Sequence, residues 1–427
     1  MSFHWIKNFD ALALDQSRTD ALAILEAGYD AIETSRVMRS QVSISEEVIT
    51  IQDKHFDLKK FKNIFLIGFG KGACAEVREL YRMFPSRVKR AVVIDKTTLA
   101  TCPIEVEAFV GTHPIPSAVN MAATKVLSAV ATAAEKDDLV FVAVAGGGSA
   151  LLCSSDEECE QSTRLFQECL KVGATIEEIN TVRKHISELK GGGLAKLLYP
   201  ATAVGLIFSD IVGGNPERVA SGPTYFDTST VADAQAVLTR YGLSKKFVLH
   251  ETPKEQKYFK QVTNVVLVSN EQSLSAMATK ARACGYEPVV LEEALYEAPD
   301  ETLAKLFSYA APGTVVLAGG EVRLAVPSNH GSGGRCQFLA LEALEKVRPG
   351  NVFVAAASDG YDNSEAAGAI VDEHTGRKIK NAGLDLADYR RRLDTIPVFD
   401  KAGDAILTGP VEANVSDWYF VLTEKKS

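Results

Sequence analysis

The sequence has no long hydrophobic run, and this absence sets the first limits on the kind of protein it encodes. No apolar stretch approaches the roughly 20 residues that a helix needs to cross a bilayer. The first ten residues contain no apolar core followed by small residues, so no secretory signal is predicted. We therefore expect a cytoplasmic protein that does not associate with membranes.

Paired cysteines and an excess of basic residues are also missing. The seven cysteines are scattered and form no C-x-x-C pair, so we expect reduced thiols rather than a disulfide framework or a zinc site. The formal net charge of −9 argues against a nucleic-acid partner, because binding a polyanion requires a basic surface. A small anionic ligand needs only a local basic pocket, so this class of ligand stays open.

The length and the pattern of polar residues indicate two domains. A chain of 427 residues exceeds the usual size of a single hydrophobic core. A polar, charged stretch between residues 241 and 260 predicts a first domain at 1–245 and a second at 260–427. The first ~45 residues have a helical pattern and are expected to be a docking segment of the first domain.

Short apolar runs without alternation predict the fold class. They cover residues 63–67, 139–145, 315–318 and 352–357, and helical patterns lie between them. Such runs are typical of strands buried on both faces, so we expect two α/β domains with largely parallel, Rossmann-like sheets. Each run ends in a glycine-rich or acidic loop. Ligands of such sheets bind at the carboxyl ends of the strands, so these loops are the candidate sites.

The first glycine-rich loop supports three interpretations. Gly68, Gly70 and Ala73 satisfy the dinucleotide-binding spacing G-x-G-x-x-A, and Asp95 ends the next apolar run, where an acid would bind a ribose. The same loop could bind phosphate through its backbone N–H groups, with Lys71 adding a positive charge. It could also be a tight structural turn. A strict Walker loop is absent.

The second loop, which includes Gly147, Gly148 and Ser149, resembles an anion-binding nest. Successive glycines let the backbone approach a ligand closely, and the serine hydroxyl could bond a phosphoryl or carboxylate oxygen. The alternative is a strand-to-helix turn with a serine N-cap.

Two basic segments are further candidates for anion binding. Arg183 and Lys190 lie about two helical turns apart beside a glycine triplet, which favours a substrate or phosphate role over a solvated helix face. Arg335 opens a helical pattern after Gly333 and Gly334. A cation at a helix N-terminus is unfavourable unless an anion joins it, so we expect its guanidinium to clamp phosphate oxygens.

Three aspartates are candidate ligands for a divalent cation. Asp210 ends an apolar run, and Asp359 and Asp362 follow another. Carboxylates at strand ends beside phosphate-binding loops suit Mg²⁺, which prefers oxygen ligands. Asp210 could equally be a helix N-cap. The histidines form no metal-ligand cluster, and His113 is expected to be structural or to orient a substrate.

These motifs stand in a fixed order along most of the chain. They cover residues 68–73, 111–116, 146–152, 180–192, 209–224, 319–321, 333–337, 358–368 and 407–417. In this order they resemble the glycerate 2-kinase family, whose C-terminal half carries a MOFRL domain.

The resemblance implies ATP-dependent phosphorylation of the 2-hydroxyl of D-glycerate to 2-phosphoglycerate. It implies an active site in an interdomain cleft and ATP with Mg²⁺ or another divalent cation as cofactors. It also implies catalytic roles for Lys71 and Arg335 and a substrate- or phosphate-binding role for Glu321. The expected partners are a nucleotide and a small hydroxy acid, and a homo-oligomer is compatible with the sequence.

The chain departs from the family pattern in its substrate-side loops. Ser117 and Asn120 stand where the family usually has an acid and a glycine, and Asn363 and Ser364 replace Gly-Pro. A kinase acting on a different small hydroxy acid is therefore one alternative. A second is an NAD(P)H-dependent hydroxypyruvate reductase, based on the first glycine loop. A third is a nucleotide-binding protein without turnover.

Overall fold

The computed structural model describes residues 4–96, 102–211 and 213–425, and the chain forms two compact units. The central unit is Thr34–Val268. The terminal unit combines the residues before Thr34 with those from Ser269 onward.

The strands of the described residues are β1 Val42–Ser45, β2 Val48–Ile51, β3 Lys54–Asp57, β4 Asn63–Phe69, β5 Val88–Asp95, β6 Glu107–Val110, β7 Asp138–Ala145, β8 Thr202–Phe208, β9 Val262–Val268, β10 Glu287–Val290, β11 Thr314–Gly320, β12 Asn351–Ala357, β13 Gly368–Val371, β14 Ala405–Ile406 and β15 Asp417–Thr423.

The helices of the same residues are α1 Phe9–Leu12, α2 Gln16–Ile32, α3 Thr34–Gln41, α4 Ala73–Met83, α5 Ala118–Thr132, α6 Gly148–Leu151, α7 Asp156–Val172, α8 Ile176–His185, α9 Gly193–Leu198, α10 Val231–Arg240, α11 Asn270–Ala283, α12 Pro299–Ser308, α13 Arg335–Ala343, α14 Glu373–Asn381, α15 Leu386–Arg392 and α16 Ile396–Ala402. Short 3-10 helices cover Leu58–Lys60, Pro216–Ser221, Ser244–Lys246 and Gln256–Tyr258.

The central unit is built on a parallel sheet with the strand order β6-β5-β4-β7-β8-β9. Every residue of β7 is buried, as are all but the first residues of β4 and β8. Strands buried on both faces need apolar side chains throughout, which explains the unbroken apolar runs in the sequence. The predicted α/β class and parallel sheet are confirmed in this unit. The three strands that precede β4 in the chain form a separate antiparallel sheet, with the order β1-β2-β3.

The terminal unit contains a mixed sheet with the order β10-β11-β15-β12-β13-β14. Among its neighbouring strands only β10 and β11 run parallel, so the expectation of a largely parallel second sheet is wrong. The reason is β15, which enters the centre of the sheet and runs antiparallel to both β11 and β12. This insertion brings the start of β15 beside the end of β11.

The N-terminal helical segment packs with the C-terminal half of the chain, so its predicted place in the first domain is wrong. Helix α2 packs against α11. The fully buried Arg18 of α2 bonds Asp372 through Nε at 2.6 Å and Asp404 through Nη1 at 2.8 Å. The second boundary also differs, because β9 pairs with β8 in the central sheet and was expected in the second domain.

The cysteines differ from the expectation of reduced thiols. The structure joins Cys74 to Cys102 and Cys153 to Cys159 as disulfides, with Cα–Cα separations of 5.8 and 5.7 Å. The cytoplasmic location stays a prediction. None of the helices in the described ranges combines the length and the apolar character that crossing a bilayer requires.

Candidate functional site

The first glycine-rich loop connects β4 to α4, and its backbone N–H groups are already occupied. Gly70 donates to the carbonyl of Ile94 at 3.1 Å, and Lys71 donates to the carbonyl of Gly146 at 2.8 Å. The carboxylate of Asp95 accepts the N–H groups of Gly72 at 3.3 Å and of the first turn of α4. This loop therefore has no free group of amides with which to bind a pyrophosphate.

The glycines of this loop are explained by packing. A Cβ on Gly68 would lie 2.5 Å from Cγ2 of Val77. Gly70 has φ +125°, and a Cβ there would lie 2.5 Å from the carbonyl oxygen of Ala145. Of the three interpretations of the loop, the structure favours the tight turn. It gives Gly68 and Gly70 a packing role instead of the predicted phosphate contacts. What the turn presents is the side chain of Lys71, whose ammonium has no hydrogen-bond or ion-pair partner among the described residues.

The second glycine-rich loop connects β7 to α6 and differs from the first in the state of its backbone N–H groups. The N–H groups of Gly147, Gly148 and Ser149 donate to no other group in the described part of the chain. Gly147 has φ +77°, and a Cβ on it would lie 3.3 Å from the His113 ring and 3.5 Å from Cγ of Lys71. The N–H groups of this loop, the side chain of Lys71 and the His113 imidazole therefore meet at Gly147, a set of groups that suits an anion-binding site.

A hydrogen-bonded chain of side chains extends this site to Arg183. The hydroxyls of Ser149 and Ser221 lie 2.8 Å apart, and the Ser221 hydroxyl donates to Oδ1 of Asn180 at 3.2 Å. Nη1 of Arg183 donates to the same oxygen at 2.7 Å. Ser221 and the preceding Ala220 have φ +61° and +50°, a conformation that costs non-glycine residues roughly 1–3 kcal/mol each and clusters at functional sites.

The charges of Lys71, Lys96 and Arg183 give the surroundings of His113 a positive character. Arg183 forms no ion pair with a carboxylate of the described residues, and burial lowers its pKa to about 10. Burial, followed by the charges of Lys71, Lys96 and Arg183, lowers the pKa of His113 to about 4. The imidazole is therefore neutral at neutral pH. An anion would relieve the mutual repulsion of these cations.

Lys190 does not belong to this site, so its predicted role in binding substrate or phosphate is wrong. Its side chain is fully buried. The ammonium donates to the carbonyl of Leu152 at 2.8 Å, to Glu158 at 2.7 Å and to the Ser187 hydroxyl at 3.1 Å. An ammonium has three N–H groups, so all of them are used. Lys190 is a structural residue in a buried ion pair.

Asp210 follows β8 and lies against the second glycine loop. A Cβ on Gly146 would lie 2.1 Å from Oδ2 of Asp210, so a larger residue there would have to displace this carboxylate. The Asp210 side chain is partly buried. A partly exposed carboxylate beside free amides and cations suits a divalent cation that is also bound by phosphate oxygens, because Mg²⁺ in such sites takes only one or two carboxylates.

In the terminal unit, Arg335 is the first residue of α13, as the sequence predicts, but it is already paired. Its Nε donates to Oδ2 of Asp417 at 2.5 Å and its Nη2 to Oδ1 at 3.4 Å. Nη1 forms an ion pair with Glu321. The protein thus supplies the anions that a cation at a helix N-terminus requires. Glu321 pairs with this guanidinium, and its role in binding substrate or phosphate stays a prediction.

The other two candidate metal ligands have different environments. Both oxygens of Asp362 accept backbone N–H groups of α13, from Cys336 at 3.0 Å and Gln337 at 2.8 Å. Burial raises the pKa of Asp362 to about 7, so the predicted metal role does not fit this helix-capping carboxylate. Asp359 is partly buried and accepts the N–H of Tyr361 at 3.1 Å, which leaves its second oxygen as a candidate ligand.

Several residues of these sites are not among those that the sequence predicts. Asn180, Ser221 and Asp417 lie within the recognised motifs, but no local pattern marks them as partners of Arg183 or Arg335. His113 was assigned only a structural or orienting role. Its burial beside three cations becomes visible only in the folded unit.

Comparisons with known proteins agree with the fold. A family described as a domain of unknown function (DUF4147) matches residues 20–251, and the MOFRL family matches residues 314–417. The glycerate 2-kinase of Pyrococcus horikoshii is 31% identical over 96% of this chain and 98% of its own length. An Agrobacterium vitis protein provisionally named a hydroxypyruvate reductase is 33% identical over 82% of this chain and 85% of its own length. The crystal structure of a Thermotoga maritima glycerate kinase superposes with a TM-score of 0.82 at 28% identity, covering 95% of this chain and 98% of that one.

Proposed function

Because this chain belongs to the glycerate 2-kinase family, we propose that it transfers the γ-phosphoryl group of ATP to the 2-hydroxyl of D-glycerate, giving 2-phosphoglycerate and ADP. One observation carries the proposal. Lys71 and Arg183, neither of them paired with a carboxylate of the described residues, lie at the loop where Gly147, Gly148 and Ser149 offer free N–H groups.

The chemistry of phosphoryl transfer fits this donor set. The transition state spreads negative charge over the equatorial phosphoryl oxygens, so catalysis depends on positioned cations and N–H donors more than on covalent help. Lys71 would supply a point charge, and Arg183 a planar fork held by Asn180. The amides of the second glycine loop would bind oxygens of the same anion. Arg335 is proposed as the corresponding cation of the terminal unit.

ATP-dependent transfer also implies a divalent cation, which when bound would offset the negative charge of the phosphates. Asp210 in the central unit and Asp359 in the terminal unit are the carboxylates whose environment fits this role. The neutral imidazole of His113 beside Gly147 is able to accept a hydrogen bond from a substrate hydroxyl.

The reductase alternative has less support. A dinucleotide pyrophosphate binds at the N–H groups of the first glycine loop and the adjoining helix, and here Asp95 accepts N–H groups of that region. A hydride-transfer site also needs a proton donor for the carbonyl oxygen. His113, with its pKa lowered to about 4, is a neutral imidazole at neutral pH and not the imidazolium that would serve as an acid.

The proposal is tested by measuring ADP release from ATP and Mg²⁺ with D-glycerate, L-glycerate or other small hydroxy acids as acceptor. We expect release that depends on D-glycerate. Lys71→Met should lower the rate by at least 10²-fold, since a preorganised charge is lost. Lys125→Met, at an exposed lysine of α5, is the matched control and should leave the rate unchanged. ADP release with a different hydroxy acid would change the substrate, and oxidation of NADH or NADPH by hydroxypyruvate would overturn the proposal.

A further inference from the structure

In the terminal unit, Arg335 is part of a closed ring of hydrogen bonds and ion pairs. The backbone N–H of Val322 donates to the hydroxyl of Tyr419 at 3.2 Å, and this hydroxyl donates to Oδ2 of Asp417 at 2.9 Å. The carboxylate of Asp417 accepts hydrogen bonds from Nε and Nη2 of Arg335, at 2.5 and 3.4 Å. Nη1 of Arg335 pairs with Glu321, which immediately precedes Val322 in the chain.

Three elements of the sheet layer meet in this ring. Glu321 follows the last residue of β11, Asp417 and Tyr419 lie at the start of β15, and Arg335 begins α13. The antiparallel register pairs Gly320 of β11 with Asp417 of β15. The ring therefore exists because β15 is inserted beside β11, and the orientation of Arg335 is fixed by the sheet rather than by its own helix.

The members of the ring differ sharply in exposure. The side chains of Asp417 and Tyr419 are buried, whereas that of Arg335 is 36% exposed and that of Glu321 is 48% exposed. Burial raises the pKa of Asp417, and the charge of Arg335 opposes this shift. A ligand can thus reach the guanidinium without reaching Asp417. An anionic ligand group at Nη1 would replace Glu321 and leave the Asp417 contact intact.

We propose that Asp417, supported by the Tyr419 hydroxyl, is a positioning residue that holds the Arg335 guanidinium in one orientation for an anionic ligand group. The inference rests on the proposed function, in which Arg335 acts on a phosphoryl group. Two bonds from one carboxylate fix both the place and the plane of the guanidinium, and a small misplacement of such a group is costly in catalysis.

The test combines single variants, a double variant and chemical rescue. Asp417→Asn should lower kcat by roughly 100-fold, as expected for a misplaced catalytic group, with a smaller change in KM for D-glycerate. Tyr419→Phe removes one donor and keeps the ion pair, so we expect a loss of roughly 3- to 10-fold. In an Arg335→Ala background, Asp417→Asn should cause no further loss, because Asp417 acts through Arg335. Added guanidinium should restore part of the activity of Arg335→Ala and none in the double variant.

A readout without activity separates this inference from the proposed function. In protein labelled with ¹⁵N-arginine, the Nε–H signal of Arg335, identified by its loss in Arg335→Ala, should be protected from exchange and should shift in Tyr419→Phe. If the protected signal is observed but the wild-type protein has no kinase activity, the kinase proposal is rejected and the hydrogen-bonded ring around Asp417 is retained. Additive losses in the double variant, equal rescue of both variants, or an unprotected signal would each overturn the positioning role. If Asp417→Asn does not fold, Tyr419→Phe and its double variant with Arg335→Ala decide the same question.

Discussion

The carboxylate of Asp95 accepts the backbone N–H of Cys74 at 3.0 Å, in the first turn of α4. In dinucleotide-binding folds this place at the helix N-terminus belongs to the pyrophosphate of the cofactor. In this protein the carboxylate of Asp95 occupies that position. The spacing of Gly68, Gly70 and Ala73, which satisfies the dinucleotide pattern, therefore serves a tight turn that presents Lys71.

The first prediction follows from this arrangement. We expect neither NADH nor NADPH to bind, because a pyrophosphate would have to displace a buried carboxylate from the N–H groups that it bonds. Fluorescence titration of each reduced cofactor is the measurement, with a known dehydrogenase as the positive control. Saturable binding that ATP does not displace would contradict the interpretation of the loop.

A second prediction concerns Arg183. Arg183→Met should lower kcat/KM for D-glycerate by at least 10²-fold and abolish any rise in Tm caused by inorganic phosphate, because a cation without a carboxylate partner is lost. Arg183→Lys keeps the charge but not the planar fork held by Asn180, and it should recover only part of the activity. An Arg183→Met variant with normal kinetics and an unchanged response to phosphate would remove this residue from the site.

A third prediction separates structure from function at Lys190. Lys190→Met leaves the buried Glu158 carboxylate without its partner and should reduce the free energy of unfolding by about 3–5 kcal/mol. The double variant Lys190→Met with Glu158→Gln should recover much of this loss. Urea unfolding measures both. A Lys190→Met protein of normal stability that has lost its activity would restore the predicted binding role.

The fourth prediction concerns the pH dependence at His113. Its pKa is lowered from 6.5 to about 4, so between these pH values the unfolded state binds more protons than the folded state. The stability of the wild type relative to His113→Gln should therefore rise as the pH increases from about 4 to 6.5 and stay constant above that range. Unfolding in urea across this range is the measurement. A flat difference would show that neither burial nor the neighbouring cations lower the pKa of this ring.

Binding of an anion should move the same pKa in the opposite direction. Burial lowers the pKa of His113 most, and the charges of Lys71, Lys96 and Arg183 lower it further; a phosphate-bearing ligand would offset these charges. NMR titration of the His113 ring with and without 2-phosphoglycerate tests this, with His113→Gln to assign the signal. An unchanged pKa in the bound state would contradict the predicted effect of the ligand's charge on this ring.

The sequence predicted what depends on local pattern. The unbroken apolar runs at 63–67 and 139–145 became β4 and β7, and Arg335 begins α13 as its glycine-rich approach indicated. The second glycine loop has the free amides expected of an anion-binding nest. These features can be predicted from the sequence because they depend on the hydrophobic pattern and the glycine content of residues that are adjacent in the chain.

What the sequence did not predict depends on residues that meet only in the fold. The sequence around Lys190 predicts a ligand-binding cation, but in the core it pairs with Glu158, which is 32 residues away in the chain. Arg335 and Asp417 are 82 residues apart and meet because β15 is inserted beside β11. The assignment of α2 to the terminal unit likewise rests on the pairing of Arg18 with Asp372 and Asp404.

The most direct test of the account is to identify the phosphorylated carbon of the product by ¹H and ³¹P NMR after incubation of the purified protein with ATP, Mg²⁺ and D-glycerate. The account predicts a phosphorus signal coupled to the single proton of C2, which identifies 2-phosphoglycerate, and no such product from Lys71→Met. Phosphorus coupled to the two protons of C3, or no phosphorylated glycerate at all, would contradict it.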